Sequence, residues 1–234
     1  MYKRQLVRVD GIPVDSIRER ALRSVSSVTA KRGASQQAKN VAFRIYSDKE
    51  RDLAYRDIAK ASAQNGDHLT AFNTLQEIDY PRDKALAMVS LARAHQKQGR
   101  ERKALALLKN AVRTSKELDS NDDLDVVHAD MAIAYAEREN AEHSLSIVDN
   151  MIDENRRDRA YQSLARTLAG KQDVDSAQRS IMSIQSESKR RATEIHVART
   201  LGRNIAPEKA LKSSKSLQTS LQRVLFLLEV SRRI

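Results

Sequence analysis

Residues 58–71 read IAKASAQNGDHLTA, and 33 positions later residues 91–104 read LARAHQKQGRERKA. Both stretches open on an apolar residue followed by Ala (Ile58-Ala59, Leu91-Ala92). Both then carry a Gly (Gly66, Gly99) and end on an Ala (Ala71, Ala104). Extending that spacing in both directions sets units that begin at Glu19, Asp52, Ala85, Asp125, Asp158, Arg191 and Val224. Successive starts are 33, 33, 40, 33, 33 and 33 residues apart, and one seven-residue insertion at about 118–124 accounts for the exception. A fixed period in this range marks a repeat architecture.

The unit can be read position by position. Position 7 is apolar throughout: Val25, Ile58, Leu91, Met131, Leu164, Val197 and Val230. Position 8 is small throughout: Ser26, Ala59, Ala92, Ala132, Ala165, Ala198 and Ser231. Position 20 is small again, as Ala38, Ala71, Ala104, Ser144, Ala177 and Ala210, and position 27 holds Ile45, Ile78, Ala111, Met151, Ile184 and Leu217. Positions 4, 7, 8 and 11 fall on one face of a first helix, and positions 20, 24 and 27 on one face of a second. Small residues at 8 and 20 let the two backbones approach closely. Gly33, Gly66 and Gly99 stand between the helices, where a left-handed C-cap residue belongs. Asp67 and Asp173 stand where second helices need N-caps, and Pro207 suits the first turn of the last complete one.

With these sizes at these positions the sequence resembles the tetratricopeptide repeat over residues 19–234. It departs from that family in its period, in lacking an aromatic residue at position 4 of most units (Tyr55 and Tyr161 are the nearest), and in lacking a Pro near each unit's end. The resemblance implies an all-α chain: a right-handed α-solenoid of about six 33-residue helix-turn-helix repeats with a terminal capping helix. Residues 1–18 form an arm and lead-in, in which Gly11-Ile12-Pro13 breaks helix and Asp15 or Ser16 caps the first helix. After Val224 one first helix remains, and its apolar residues Val224, Leu225, Leu227, Leu228 and Val230 suggest that it closes the stack.

Composition agrees with this class. Six Gly and three Pro are too few for the frequent turns of an all-β chain. Trp is absent and there are three Phe, so the core falls to Ala, Leu, Ile, Val and Met. The absence of Cys excludes disulfides and thiolate metal sites. The start lacks the apolar run of a signal peptide, and the longest apolar run, Val224–Leu228, is far short of the roughly 20 residues that cross a bilayer. A soluble cytoplasmic protein is expected.

The formal net charge is +11. It is spread unevenly: residues 1–51 hold 12 basic and 5 acidic groups, residues 125–157 hold 3 and 8, and residues 191–234 hold 9 and 3. In the resembling family the first helices line a concave face through positions 2, 5, 9, 12 and 13. Here those positions carry Arg20, Arg23, Lys31, Arg56, Lys60, Arg93, Lys97, Arg159, Arg166, Arg199 and Arg203, against one acid, Glu137. Composition alone would put about five cations and four acids there. The bias points to an anionic ligand along that face, with Leu86, Val89 and Ile133 adding apolar contacts; the alternative is a solvated face that is basic because the chain is basic. A second periodic set, Arg18, Arg51, Lys84, Arg157, Arg190 and Arg223, precedes each unit and is expected to serve the C-terminal end of the preceding helix.

No phosphate loop, nucleophile elbow or HExxH is present. His95 and His128 fall on neighbouring first helices, but two His without a third ligand make a poor metal site. Asp119, Asp122, Asp123 and Asp125 lack the spacing and Gly of a calcium loop and are read as a solvated insertion. The expectation is therefore a scaffold that binds an acidic protein or peptide, loosely similar to the carboxylate clamp of chaperone-binding family members but without its Asn residues. No catalytic residue, metal or cofactor is expected. The alternatives are nucleic-acid binding through backbone neutralisation and end-to-end self-assembly.

Overall fold

The computed structural model describes Val9 and residues 15–233, apart from the side chains of Pro207 and Leu211. The rest of the arm expected over 1–18, with its Gly11-Ile12-Pro13 break, lies outside the described residues. The chain is all-α, 79% helical with no strand among the described residues. It divides into two compact units, 1–119 and 120–234.

The first unit holds α1 (Asp15–Lys31), α2 (Ser35–Ala42), α3 (Asp48–Gln64), α4 (His68–Gln76), α5 (Pro81–Lys97) and α6 (Glu101–Ser115). Helices α1, α3 and α5 pack side by side in order, and α2, α4 and α6 each fold back on the long helix before them. The second unit holds α7 (Asn121–Glu137), α8 (Ala141–Asp149), α9 (Glu154–Gly170), α10 (Val174–Met182), α11 (Glu187–Asn204), α12 (Pro207–Lys215) and α13 (Ser220–Ser231). There α7, α9, α11 and α13 pack in series, with α8 against α7 and α10 against α9.

The small residues sit where helices meet. Ser26, Ala59, Ala92, Ala132, Ala165 and Ala198 are buried, as are Ala38, Ala71, Ala104, Ser144, Ala177 and Ala210. In the first pair the backbones come close enough for Ser26 Oγ to donate to Ala38 O at 3.0 Å. The expected caps form: Asp67 accepts from Thr70 N, and Asp173 from Ser176 N. Asp15 and Ser16 lie inside α1 rather than capping it.

The acidic insertion is a loop only over 118–120, where Asp119 is exposed; from Asn121 it is helical. Helix α6 is 15 residues long where α4, α8, α10 and α12 have 9. Residues 121–124 open α7, whose N-cap Ser120 accepts from Asp123 N. The reason is legible in α6 itself. Ala104, Leu107, Leu108 and Ala111 keep helical spacing and are buried, and no Gly or Pro interrupts residues 100–118. Asp125 is 1% exposed.

Asp125 belongs to a recurring link. Glu19 accepts from the backbone N–H groups of Tyr46 and Ser47, and Asp52 from those of Asp79 and Tyr80. Asp125 accepts from Ile152 and Asp153, and Asp158 from Gln185 and Ser186. Each carboxylate, in the second turn of one long helix, thus holds the linker that leads into the next. Surroundings decide how tightly each holds its charge. Burial pushes Asp52 up, and Asp79 and Asp83 reinforce the push against its two backbone bonds. Burial also acts upward on Asp158, but its backbone bonds and Lys189 outweigh it and bring it below the usual range. Where the acid is missing, at Arg191, the linker caps itself: Gln222 Oε1 accepts from Gln218 N and Thr219 N at 2.9 and 3.2 Å.

Four of the six periodic cations bind linkers from the other side. Arg51, Arg157 and Arg190 donate to the carbonyls of Ile45, Met151 and Ile184, and Arg223 Nε donates to Leu217 O at 3.0 Å. Their acceptors are the buried residues of position 27. These cations serve carbonyls left without helical partners.

Between the helices of a pair the chain turns through the left-handed region, at Gly33, Gly66 and Gly99 and then at Glu139 (φ 61°) and Gln172 (φ 63°). The sixth pair differs. The corresponding residue, Ile205, is extended at φ −74°, ψ 138°, since a β-branched residue resists positive φ.

Helix α13 does not bury the apolar set expected of a closing helix. Phe226 and Val230 pack inward, while Leu221, Val224, Leu227 and Leu228 are 43–55% exposed. Its approach to α11 depends on Gly202, where a Cβ would lie 2.5 Å from Phe226 O.

A side chain held in the left-handed region costs roughly 1–2 kcal/mol relative to glycine's freedom there, offset in part by glycine's larger unfolded-state entropy. Glu139→Gly should therefore raise unfolding free energy by about 0.5–1 kcal/mol in urea titration, whereas Glu137→Gly, two residues earlier inside α7, should lower it by about 1 kcal/mol.

Candidate functional site

The basic residues read from the sequence gather differently in the two units. In the first, Lys60 on α3 faces Arg93 and Lys97 on α5 across a cleft of about 430 Å³, floored by Ala63 and Ala94 and flanked by Gln64, Ser90 and Gln98. Arg20, Arg23 and Lys31 line a second cleft of about 440 Å³ with Ser24, Ser27 and Asp57. Lys60 and Lys97 are exposed and Arg93 is half-buried.

Arg56 and Arg23 are paired with acids within the fold. Arg56 Nη1 lies 2.5 Å from the carboxylate of Asp83, which is buried, and Arg23 lies 3.5 Å from both Glu50 and Asp57. These acids stand outside the five repeat positions counted in the sequence: Asp57 is the next residue along α3, and Glu50 and Asp83 lie in the first turns of the following long helices. The free charge of the face is therefore smaller than eleven cations against one acid suggests. Leu86 and Val89, expected to offer apolar contacts to a ligand, are buried between helices; Ile133 is half-buried.

In the second unit Arg199 and Arg203 line a cleft of about 370 Å³ on α11 with His196 and Thr200. Burial lowers His196, and Arg166 from α9 and Arg203 press it lower, so Arg166, Arg199 and Arg203 share this patch with the histidine. Arg203 is also 3.3 Å from Glu229 of α13. Arg159 is exposed on α9. The larger hollow of this unit lies elsewhere, about 740 Å³ lined by residues of α8, α10 and α12. There Arg179 is paired with Glu142 at 2.5 Å, and Asp149 and Asp175 stand with Lys215. Its charges compensate one another, so it presents no single sign to a ligand.

The histidines pack rather than gather ligands. His95 is buried and stacks on His68 with ring centroids 4.2 Å apart, and His68 Nε2 donates to Gln98 Oε1 at 2.5 Å. No group of three or more His, Cys, Asp or Glu placed to hold a metal ion occurs among the described residues. No helix there is long and apolar enough to cross a membrane. Position-by-position reading missed the exposed aromatics Phe43 (79%) and Tyr46 (92%), which border a cleft of about 730 Å³ in the first unit with Arg44, Asp48 and Glu77. The sequence signal was an aromatic pair straddling position 27, outside both helices.

No family model matches the chain, and no curated protein does. Among solved structures the chain is similar to one described as the crystal structure of Ton1535 from Thermococcus onnurineus NA1. That chain is 14% identical, with 100% of this chain and 96% of that one covered and a TM-score of 0.31. A likeness of that degree carries no inference about the site.

Burial lowers His95 to about 4, and His68, Arg100 and Lys103 add to the effect. The unfolded chain therefore binds the proton more tightly than the folded one. The stability is fully present above the ordinary value near 6.5 and is lost as pH falls from there through 4, on the order of 3 kcal/mol at the lower end. Urea unfolding from pH 7 to pH 4 should show that decline, and His95→Phe, which keeps a ring in the stack but cannot titrate, should flatten it.

Proposed function

We propose that the chain is a non-catalytic, cytoplasmic adaptor, a right-handed solenoid of tetratricopeptide-like repeats, that binds an acidic peptide or protein segment along the basic face of its long helices. The single observation that carries the reading is the cleft between α3 and α5, where Lys60, Arg93 and Lys97 converge from two helices on one hollow. Arg93 and Lys97 lie one turn apart on the same face and repel mildly in the free protein. A carboxylate between them and Lys60 relieves that repulsion and gains charge-assisted hydrogen bonds, with Arg able to grip it through two nitrogens.

Magnitudes limit what the charges alone supply. Exposed pairs contribute about 0.2–1 kcal/mol each, so three give at most about 3 kcal/mol, short of micromolar affinity near 8 kcal/mol. The remainder comes from contacts with Gln64, Ser90 and Gln98 at the cleft and from further cations along the face, Arg20 and Lys31 among them. A nucleic-acid backbone would meet the same cations, but the clefts offer no aromatic face on which bases stack.

A fluorescein-labelled Glu-rich peptide should bind the full chain with affinity that weakens as salt rises. The double change Lys60→Glu with Arg93→Glu should abolish that binding with little change in melting temperature. Arg102→Glu with Lys109→Glu on α6 changes net charge equally and should weaken binding far less. Equal loss from both doubles would mean general electrostatics and would remove the assignment to the cleft.

A further inference from the structure

Helix α13 presents an apolar stripe of its own, remote in character from the basic clefts. Leu221, Val224, Leu227 and Leu228 recur at helical spacing on the face turned away from Gln222, Phe226, Glu229 and Val230, which are buried. At 3.6 residues per turn Arg223 falls on one edge of that stripe and Arg232 on the other. The one carboxylate of α13, Glu229, is buried and held by Arg203 at 3.3 Å and Arg232 at 3.1 Å. No acid on this helix rims the stripe.

We propose that α13 docks an amphipathic helix of a partner protein whose apolar face is edged by Glu or Asp, laid along the stripe as each long helix of this unit lies along the next. The kind of occupant follows from the packing of the unit itself. Helices α7, α9, α11 and α13 stack in series, helix on helix, and the stripe of α13 is an exposed apolar helix face of the same kind. Its charge follows from the rim: a helix edged by carboxylates is drawn to Arg223 and Arg232, whereas a second copy of this stripe would bring arginines against arginines. Val224 stands where Asp125 and Asp158 accept the two N–H groups of the next linker.

The test uses the full chain and a synthetic helical peptide of about 18 residues, with Leu at i, i+3, i+7 and i+10 and Glu on both flanks. A second peptide carries Lys in place of each Glu. By fluorescence anisotropy at about 0.15 M salt the Glu peptide should bind saturably and at least about tenfold tighter than the Lys peptide. Val224→Ser with Leu228→Ser should weaken it by at least about tenfold, with unchanged circular dichroism and melting temperature, since both side chains are exposed. Lys60→Glu with Arg93→Glu should leave it intact, which separates this surface from the basic cleft. Equal binding of the two peptides, no binding of either, or binding that survives the serine double would overturn the proposal. So would self-association in sedimentation, or capture by phosphatidylserine vesicles, that the serine double abolishes; these outcomes would assign the stripe to a second copy or to a membrane surface.

Discussion

Everything in each unit hangs on how one long helix fixes the start of the next. A carboxylate in the second turn, Glu19, Asp52, Asp125 or Asp158, accepts two consecutive backbone N–H groups of the linker ahead of the following long helix. At the starts of α3, α9 and α11 an arginine of that next helix donates from the opposite side to the carbonyl that ends the preceding turn. Donors and acceptors that would otherwise be orphaned near the core are satisfied in one motif. The linker then has one conformation, and the long helices are held close enough for Ala and Ser to meet Ala. Small side chains bury little area each, so a core of this composition needs that close approach.

The linking acids leave the basic face alone, and it is other acids of the long helices that partly neutralise it. Arg56 is tied to Asp83 and Arg23 to Glu50 and Asp57. Lys60, Arg93 and Lys97 line one hollow. At the other extreme, α13 lacks the linking acid at Val224 and leaves four large apolar residues outward.

Helix existence, pairing and the small residues at the contacts were legible because each is periodic, and periodicity survives without coordinates. The caps Asp67 and Asp173 were legible because capping is local chemistry. What escaped was whatever depends on neighbours in space. Glu50 and Asp83 reach arginines 27 residues back, so a count along five repeat positions could not see them. Leu86 and Val89 looked available because their positions face a groove in the resembling family, but here they fill the gap between helices. The acidic run near Asp122 looked like a loop because charge outweighed the apolar spacing of α6 in that reading. Stacking of His95 on His68 joins a first helix to the second helix of the preceding pair, a contact the repeat spacing alone did not single out.

The linking carboxylate can be tested at Asp125, which is buried and whose two oxygens accept from Ile152 N at 3.0 Å and Asp153 N at 2.8 Å. Asp125→Ala leaves both amides without a partner, at about 1–3 kcal/mol. Urea unfolding of the variant should show that loss. Hydrogen exchange should quicken at the amides of 152 and 153 while those inside α1 stay unchanged. Unaltered stability together with unaltered exchange at those two amides would contradict the role given to the link.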